Sequence, residues 1–257
     1  MSLLKKRRYS GKNKLSNETM FKGARLITAA EPKDPVSEQF RTLRTNIDFI
    51  SVARGQIKTL LVSSALPSEG KSTITSNLAV SYAQQGKKVL LVDADLRRPT
   101  VSVTFGLTKN ASGLTNYLVD PDKKNCAIIH RTTIEHLDVI PSGPIPPNPA
   151  ELLGSSRMTD LMTQLRVHYD IVIFDVPPFL MVTDAQVLTN RVDGVALVVN
   201  GGKTNKGDLQ RTNELLKIAE VPLLGFIYNK KNRTKKKSTG YDYGYGYGYG
   251  YVEVKSK

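Results

Sequence analysis

Residues 65–73, Ala65-Leu66-Pro67-Ser68-Glu69-Gly70-Lys71-Ser72-Thr73, stand between an apolar run and a helical pattern. Consecutive backbone N–H groups and the positive end of the following helix favour an anion at such a junction. In a phosphate loop of this kind the lysine bridges the β and γ phosphates and the serine hydroxyl ligates magnesium, which are the roles read for Lys71 and Ser72. Ser68, Glu69, Gly70, Lys71, Ser72 and Thr73 are therefore the candidate phosphate-binding residues. Ala65 departs from the glycine that opens the usual pattern and requires a negative φ. A chance Gly-Lys-Ser at a capped helix start is the bland alternative.

Two further segments argue against chance. Leu90-Leu91-Val92-Asp93-Ala94-Asp95 puts two carboxylates at the end of one apolar segment, and Ile171-Val172-Ile173-Phe174-Asp175 puts a third at the end of another. In an open parallel sheet all carboxyl ends share one edge, where ligands sit. A single acid at a strand end is usually a turn former or cap, but capping does not account for three around a phosphate loop. Magnesium and a nucleoside triphosphate are the expected occupants.

The elements that must position these groups are legible as an alternation. Strands are expected at 58–64, 88–93, 137–141, 170–175, 194–200 and 223–229, several of them apolar throughout, as in a parallel sheet buried on both faces. Helices are expected at 36–53, 72–85, 149–167, 183–191 and 205–219, the first opened by Asp34-Pro35 and the second closed by Gly86. The order predicts an α/β, doubly wound, mainly parallel sheet of P-loop type. The proline-rich run 141–149 is expected as a fixed loop.

Length and charge bound the rest. The chain has 257 residues, enough for one large domain, and a net charge of +14. That charge sits at the ends: +7 over residues 1–30, +1 over 31–229 and +6 over 230–257. This divides the chain into a basic N-terminal arm (1–30), a catalytic body (31–229) and a Lys-rich, Tyr-rich tail (230–257), the tail expected to be disordered. Basic tails on a neutral body argue against a folded nucleic-acid face, so nucleic acid is an unlikely partner. With one cysteine, Cys126, no internal disulfide is possible; no apolar run reaches the roughly 20 residues of a membrane span. A cytoplasmic location is expected. His130, His136 and His168 have no metal-ligand spacing and receive no role.

At these residues the chain resembles the bacterial tyrosine kinases of polysaccharide export. The family's phosphate loop often begins with alanine, its second motif, D-x-D-x-R, matches Asp93, Asp95 and Arg97, and its D-x-P-P motif matches Asp175 to Pro178. Its helical E-x-x-R-x-x-R element matches Glu38, Arg41 and Arg44, and its tyrosine-rich terminus matches Tyr241, Tyr243, Tyr245, Tyr247, Tyr249 and Tyr251. The resemblance implies an ATP- and Mg²⁺-dependent autokinase phosphorylating those tyrosines in a neighbouring subunit and controlling capsular or exopolysaccharide synthesis. It also implies a closed homo-oligomeric ring contacted through Glu38, Arg41 and Arg44, a transmembrane adaptor that recruits the chain to the inner membrane face, and a cognate tyrosine phosphatase.

Roles are then assigned: Lys71 neutralises phosphate charge, Ser72, Asp95 and Asp175 hold magnesium, and Asp93 accepts the tyrosine proton. Asn229 is placed against adenine, although a strand-end turn former is as good a reading. Lys71 is expected in a solvent-facing loop, so that its replacement would spare the fold. A partition or septum-placement ATPase is the alternative reading; such proteins usually carry a second lysine where this chain has Leu66.

Overall fold

The computed structural model describes residues 18–108 and 110–229; the expectations for the tail, including its six tyrosines, lie outside the described residues. Strands β1 (Thr59–Ser64), β2 (Val89–Asp93), β3 (His130–Arg131), β4 (Leu137–Ile140), β5 (Ile171–Asp175), β6 (Gly194–Asn200) and β7 (Leu223–Asn229) form one sheet in the order β3-β4-β2-β5-β1-β6-β7. All neighbours are parallel except β3 with β4. Both faces are covered, and this is why the strands read as unbroken apolar runs. In β1, Leu60 and Val62 pack with Ile47, Leu78 and Tyr82 on one face, while Leu61 packs with Met158, Leu161 and Leu165 on the other.

The helices are α1 (Glu18–Lys22), α2 (Ile27–Ala30), α3 (Pro35–Arg54), α4 (Lys71–Ala83), α5 (Val101–Thr104), α6 (Leu114–Val119), α7 (Pro149–Gly154), α8 (Ser156–His168), α9 (Gln186–Thr189) and α10 (Lys206–Ile218). Asp34 caps α3 as expected, accepting from Val36 N at 2.7 Å. None of these helices is long and apolar enough to cross a membrane among the described residues.

Three expectations need correction, and several short elements were not expected. The helix expected over 149–167 is two: Ser155 adopts extended backbone, and its hydroxyl accepts from Met158 N at 3.3 Å to start α8. The helix expected over 183–191 shrinks to α9. The two-residue edge strand β3 and the short helices α5 and α6 have too few residues to show a period. Finally, residues 18–30 are folded rather than a free arm. Thr28 is fully buried and bonds Asn77 Oδ1 through its N–H at 3.0 Å and its hydroxyl at 2.9 Å.

At the edge of the sheet opposite the carboxyl ends, Asp193 holds β1, β6 and α8 together. Its Oδ2 accepts from the N–H groups of Lys58 and Thr59 at 2.9 and 2.8 Å, and Arg166 Nη1 donates to both of its oxygens at 2.8 Å. Burial alone would raise the Asp193 carboxyl, but the Arg166 and Thr59 hydrogen bonds outweigh it and lower it from its ordinary value. A depressed carboxyl stabilises the fold above its unfolded pKa and loses that contribution as pH falls through the folded value. Asp193→Ala should therefore cost about 2 kcal/mol at pH 7 by orphaning two backbone donors. In urea titrations the gap between parent and variant should narrow as pH drops below about 4; a gap independent of pH would refute the charge-assisted account.

Candidate active site

The phosphate loop is built by its own side chains. Gly70 has φ 95°, which favours glycine by conformation, and a Cβ there would displace the Asn229 side-chain amide, 2.2 Å away. Ala65 is not among the described residues with positive φ, which satisfies the condition set by its identity. Ser68 does adopt positive φ, 60°. The Glu69 carboxylate is fully buried, accepting from Leu66 N at 2.8 Å and from the Thr204 hydroxyl. Its side chain thus braces the loop, and its backbone N–H remains for a phosphate, the group on which its reading as a phosphate-binding residue rests. Lys203 Nζ donates to Pro67 O. Asn229 donates its amide to Glu69 O at 2.9 Å, so it supports the loop directly.

Lys71 is not solvent-facing. It is 9% exposed, and its Nζ lies 2.7 Å from Asp95 Oδ2, 3.3 Å from Asp175 Oδ1 and 3.2 Å from Ser72 Oγ. The three residues expected to hold magnesium converge on the lysine ammonium. Burial opposes the charge, but Asp175 and then Asp95 outweigh it and hold the amine protonated above the usual lysine range. Asp175 is itself raised, chiefly by burial, with Lys71 pulling it back.

Asp93 and Asp175 face each other across adjacent strands. Burial, followed by the Asp175 charge, pushes Asp93 up to about 8, against the lowering effect of its backbone hydrogen bonds. Those bonds run from Thr100 N and Val101 N to Asp93 Oδ2 at 2.8 and 2.9 Å, so Asp93 is also the anchor of α5.

A cavity of about 590 Å³ opens over this cluster, bounded by the phosphate loop, Asp95, Arg98, Thr100 and Asn229. Ser68, Gly70, Lys71, Ser72 and Thr73 all line it. Asp93 and Asp175 do not; they lie beneath the wall, 0% and 1% exposed. Asp93 Oδ1, Asp175 Oδ2 and Thr100 Oγ1 are buried without a hydrogen-bond partner. These atoms retain capacity to accept from a water, an ion or a ligand. Hard carboxylate and hydroxyl oxygens suit magnesium, but among the described residues no preformed group of three or more His, Cys, Asp or Glu side chains is arranged to hold a metal, Asp93, Asp95 and Asp175 included.

Sequence reasoning missed Arg98, Thr100 and the segment 19–25, of which every residue except Phe21 lines the cavity. Arg98 and Thr100 adjoin the D-x-D-x-R motif and were reachable by extending it, whereas nothing in residues 19–25 signals a binding wall.

Glu38, Arg41 and Arg44 do not share one environment. Arg41 pairs with Glu38 along the helix and donates to Pro32 O at 2.6 Å, while Arg44 Nη1 donates to Ser81 O of α4 at 2.5 Å. Arg97 makes a two-pronged contact with the fully buried Asp184, Nε to Oδ2 at 2.7 Å and Nη2 to Oδ1 at 3.1 Å. This fastens the loop after β2 to the loop after β5. Arg97→Ala should cost about 2 kcal/mol, because Asp184 would be left buried and unpaired. Melting curves should show it, and Asp184→Asn on the Arg97→Ala background should recover part of the loss; no recovery would exclude the unpaired charge as the cause.

Comparison with known proteins agrees with this geometry. The family described as AAA domain matches residues 57–204. Tyrosine-protein kinase YwqD of Bacillus subtilis (strain 168) is 50% identical over 216 residues, 84% of this chain and 90% of that protein. Among solved structures, the chimerical protein CapA2B2 has a TM-score of 0.75 at 41% identity, covering 80% of this chain and 89% of that one. The kinase domain of Escherichia coli tyrosine kinase ETK has a TM-score of 0.77 at 36% identity, covering 86% and 85%. The septum site-determining protein MinD of Pyrococcus horikoshii OT3, complexed with Mg-ADP, is more distant, with a TM-score of 0.59 at 25% identity over 69% of this chain and 72% of that one. Its class, the alternative raised from sequence, is related by fold, whereas half of all aligned positions are shared with YwqD, and the chain belongs to the bacterial tyrosine-protein kinases.

Proposed function

We propose that this tyrosine kinase uses Mg-ATP to phosphorylate the tyrosines of the C-terminal tail, Tyr241, Tyr243, Tyr245, Tyr247, Tyr249 and Tyr251, in a neighbouring subunit, and thereby regulates capsular or exopolysaccharide synthesis. The observation that carries the reading is the Lys71 ammonium held among Asp95, Asp175 and Ser72 at the floor of a cavity walled by a phosphate loop. Phosphoryl transfer through a loose transition state asks the protein mainly to position groups and neutralise charge. Gly70, Ser72 and Thr73 offer backbone N–H groups at the start of α4, and Lys71 turns from its carboxylates toward the incoming phosphates. Ser72, Asp95 and Asp175 would hold magnesium, which supplies charge neutralisation on the phosphate oxygens. Asp93 is assigned to take the tyrosine proton; because it lies beneath the cavity wall and burial raises it, the step requires its ionised form and a rearrangement that brings Oδ1 to the cavity. Asn229, which supports the loop and lines the cavity, is assigned to the border of the nucleotide.

The same reading extends to partners. Similarity to the chimerical protein CapA2B2 supports a second, membrane-anchored chain that recruits the kinase to the inner face of the membrane. Glu38, Arg41 and Arg44 are assigned to the ring contact, and a cognate phosphatase resets the tail.

Incubation of the chain with Mg-ATP, followed by mass spectrometry, should place phosphate on the tail tyrosines. Phosphate release without phosphotyrosine would favour the partition-type ATPase. Lys71→Met should abolish the modification and also lower the melting temperature, since Asp95 and Asp175 lose their buried counter-charge at a cost of about 3 kcal/mol. Undiminished phosphotyrosine in that variant would refute the site. For the ring, replacing Glu38 and Arg41 by Ala should lower the oligomeric mass in light scattering with a stability loss below about 1 kcal/mol. Arg44→Ala should additionally loosen α3 from α4; equal mass for all variants and parent would remove the interface assignment.

A further inference from the structure

We infer that residues 19–25 are a functional wall of the nucleotide cavity, held in place by α5, so that nucleotide affinity depends on a segment preceding the sheet. The inference rests on the nucleotide reading of the cavity. Thr19, Met20, Lys22, Gly23, Ala24 and Arg25 line that cavity, Arg25 with its guanidinium paired to Glu31. The attachment is specific. Ala24 N donates to Thr104 Oγ1 at 2.9 Å, Asn77 Nδ2 donates to Arg25 O at 2.8 Å, and Gly23, with φ 73°, lies so close that a Cβ would meet Thr104 Cα at 2.8 Å. Asn77 sits one turn along α4 from Thr73, which itself lines the cavity. Thr104 belongs to the helix whose first N–H, on Val101, is bonded by Asp93. The wall is thus tied on one side to the phosphate-loop helix and on the other to the catalytic carboxylates.

None of residues 19–25 is fully buried, and Phe21 is 77% exposed, so the segment adds little to the core. A segment that contributes little to the core yet is fastened to both sides of the site owes its placement to the cavity it closes. Binding and wall docking must then be linked reciprocally: what strengthens one strengthens the other.

Fluorescent ADP titration of the full chain tests this. Gly23→Val, which drives a side chain into the Thr104 backbone, and Thr104→Val, which removes the acceptor of Ala24 N–H, should each weaken nucleotide binding about tenfold, as expected for loss of one or two polar contacts. Melting temperatures should change little. In the parent, Mg-ADP should slow tryptic cleavage after Lys22 and Arg25. Unchanged affinity in either folded variant, or cleavage indifferent to Mg-ADP, overturns the inference. If Gly23→Val does not fold, Thr104→Val decides alone. A parent that binds no nucleotide would instead sink the reading of the cavity.

Discussion

The structure turns on a charge problem at the carboxyl edge of the sheet. Parallel pairing of β2 with β5 sets Asp93 opposite Asp175, and Asp95 follows two residues later. Three carboxylates with almost no exposure cannot all be ionised without a cation among them. Lys71 supplies it from the first turn of α4, and the strand order β2-β5-β1 is what lets a residue following β1 reach both neighbouring strand ends. The ammonium occupies the locus that the expected metal ligands surround. Under the proposed function, nucleotide phosphates would offer Lys71 a second set of anions in place of Asp95 and Asp175.

Around that cluster, each loop is fixed by a partner from elsewhere in the chain. Glu69 closes the phosphate loop on itself and on Thr204, Asn229 bonds the carbonyl of Glu69, and Arg97 ties the β2 loop to Asp184 beyond β5. Asp93 Oδ2 accepts from the first N–H groups of α5, while its Oδ1 has no hydrogen-bond partner. A carboxylate at a strand end reads from sequence as a cap or a ligand, and the capping half of that reading is what the geometry displays.

How much was legible follows from what each signal measures. Six strands were readable because burial on both faces demands uninterrupted apolar residues, a local property. Gly70-Lys71-Ser72 and the aspartates were readable because chemistry restricts residue type at fixed spacing. What failed was non-local. The burial of Lys71 depends on strands more than a hundred residues downstream, and the identity of lysine says nothing of it. Glu69 is an acid in an anion site, a mismatch that marks it as a brace; that signal was present but unused. Residues 18–30 read as a basic arm because Lys22 and Arg25 hide the one buried anchor, Thr28, whose partner Asn77 lies 49 positions away. The split at Ser155 was visible as Gly154-Ser155-Ser156, a stop followed by a cap.

The E-x-x-R-x-x-R spacing shows how a shared helix face differs from a shared role. Glu38 and Arg41 satisfy each other on the surface, a pair that by itself contributes at most a few tenths of a kcal/mol. Arg44, one turn further, reaches across to the carbonyl of Ser81, inside the helix that begins with Lys71. Arg44 thus ties α3 to the last turn of α4, at the end of that helix away from the phosphate loop, whereas Glu38 and Arg41 are tied to each other and to Pro32 and are the members of the motif whose partners are exchanged at small cost.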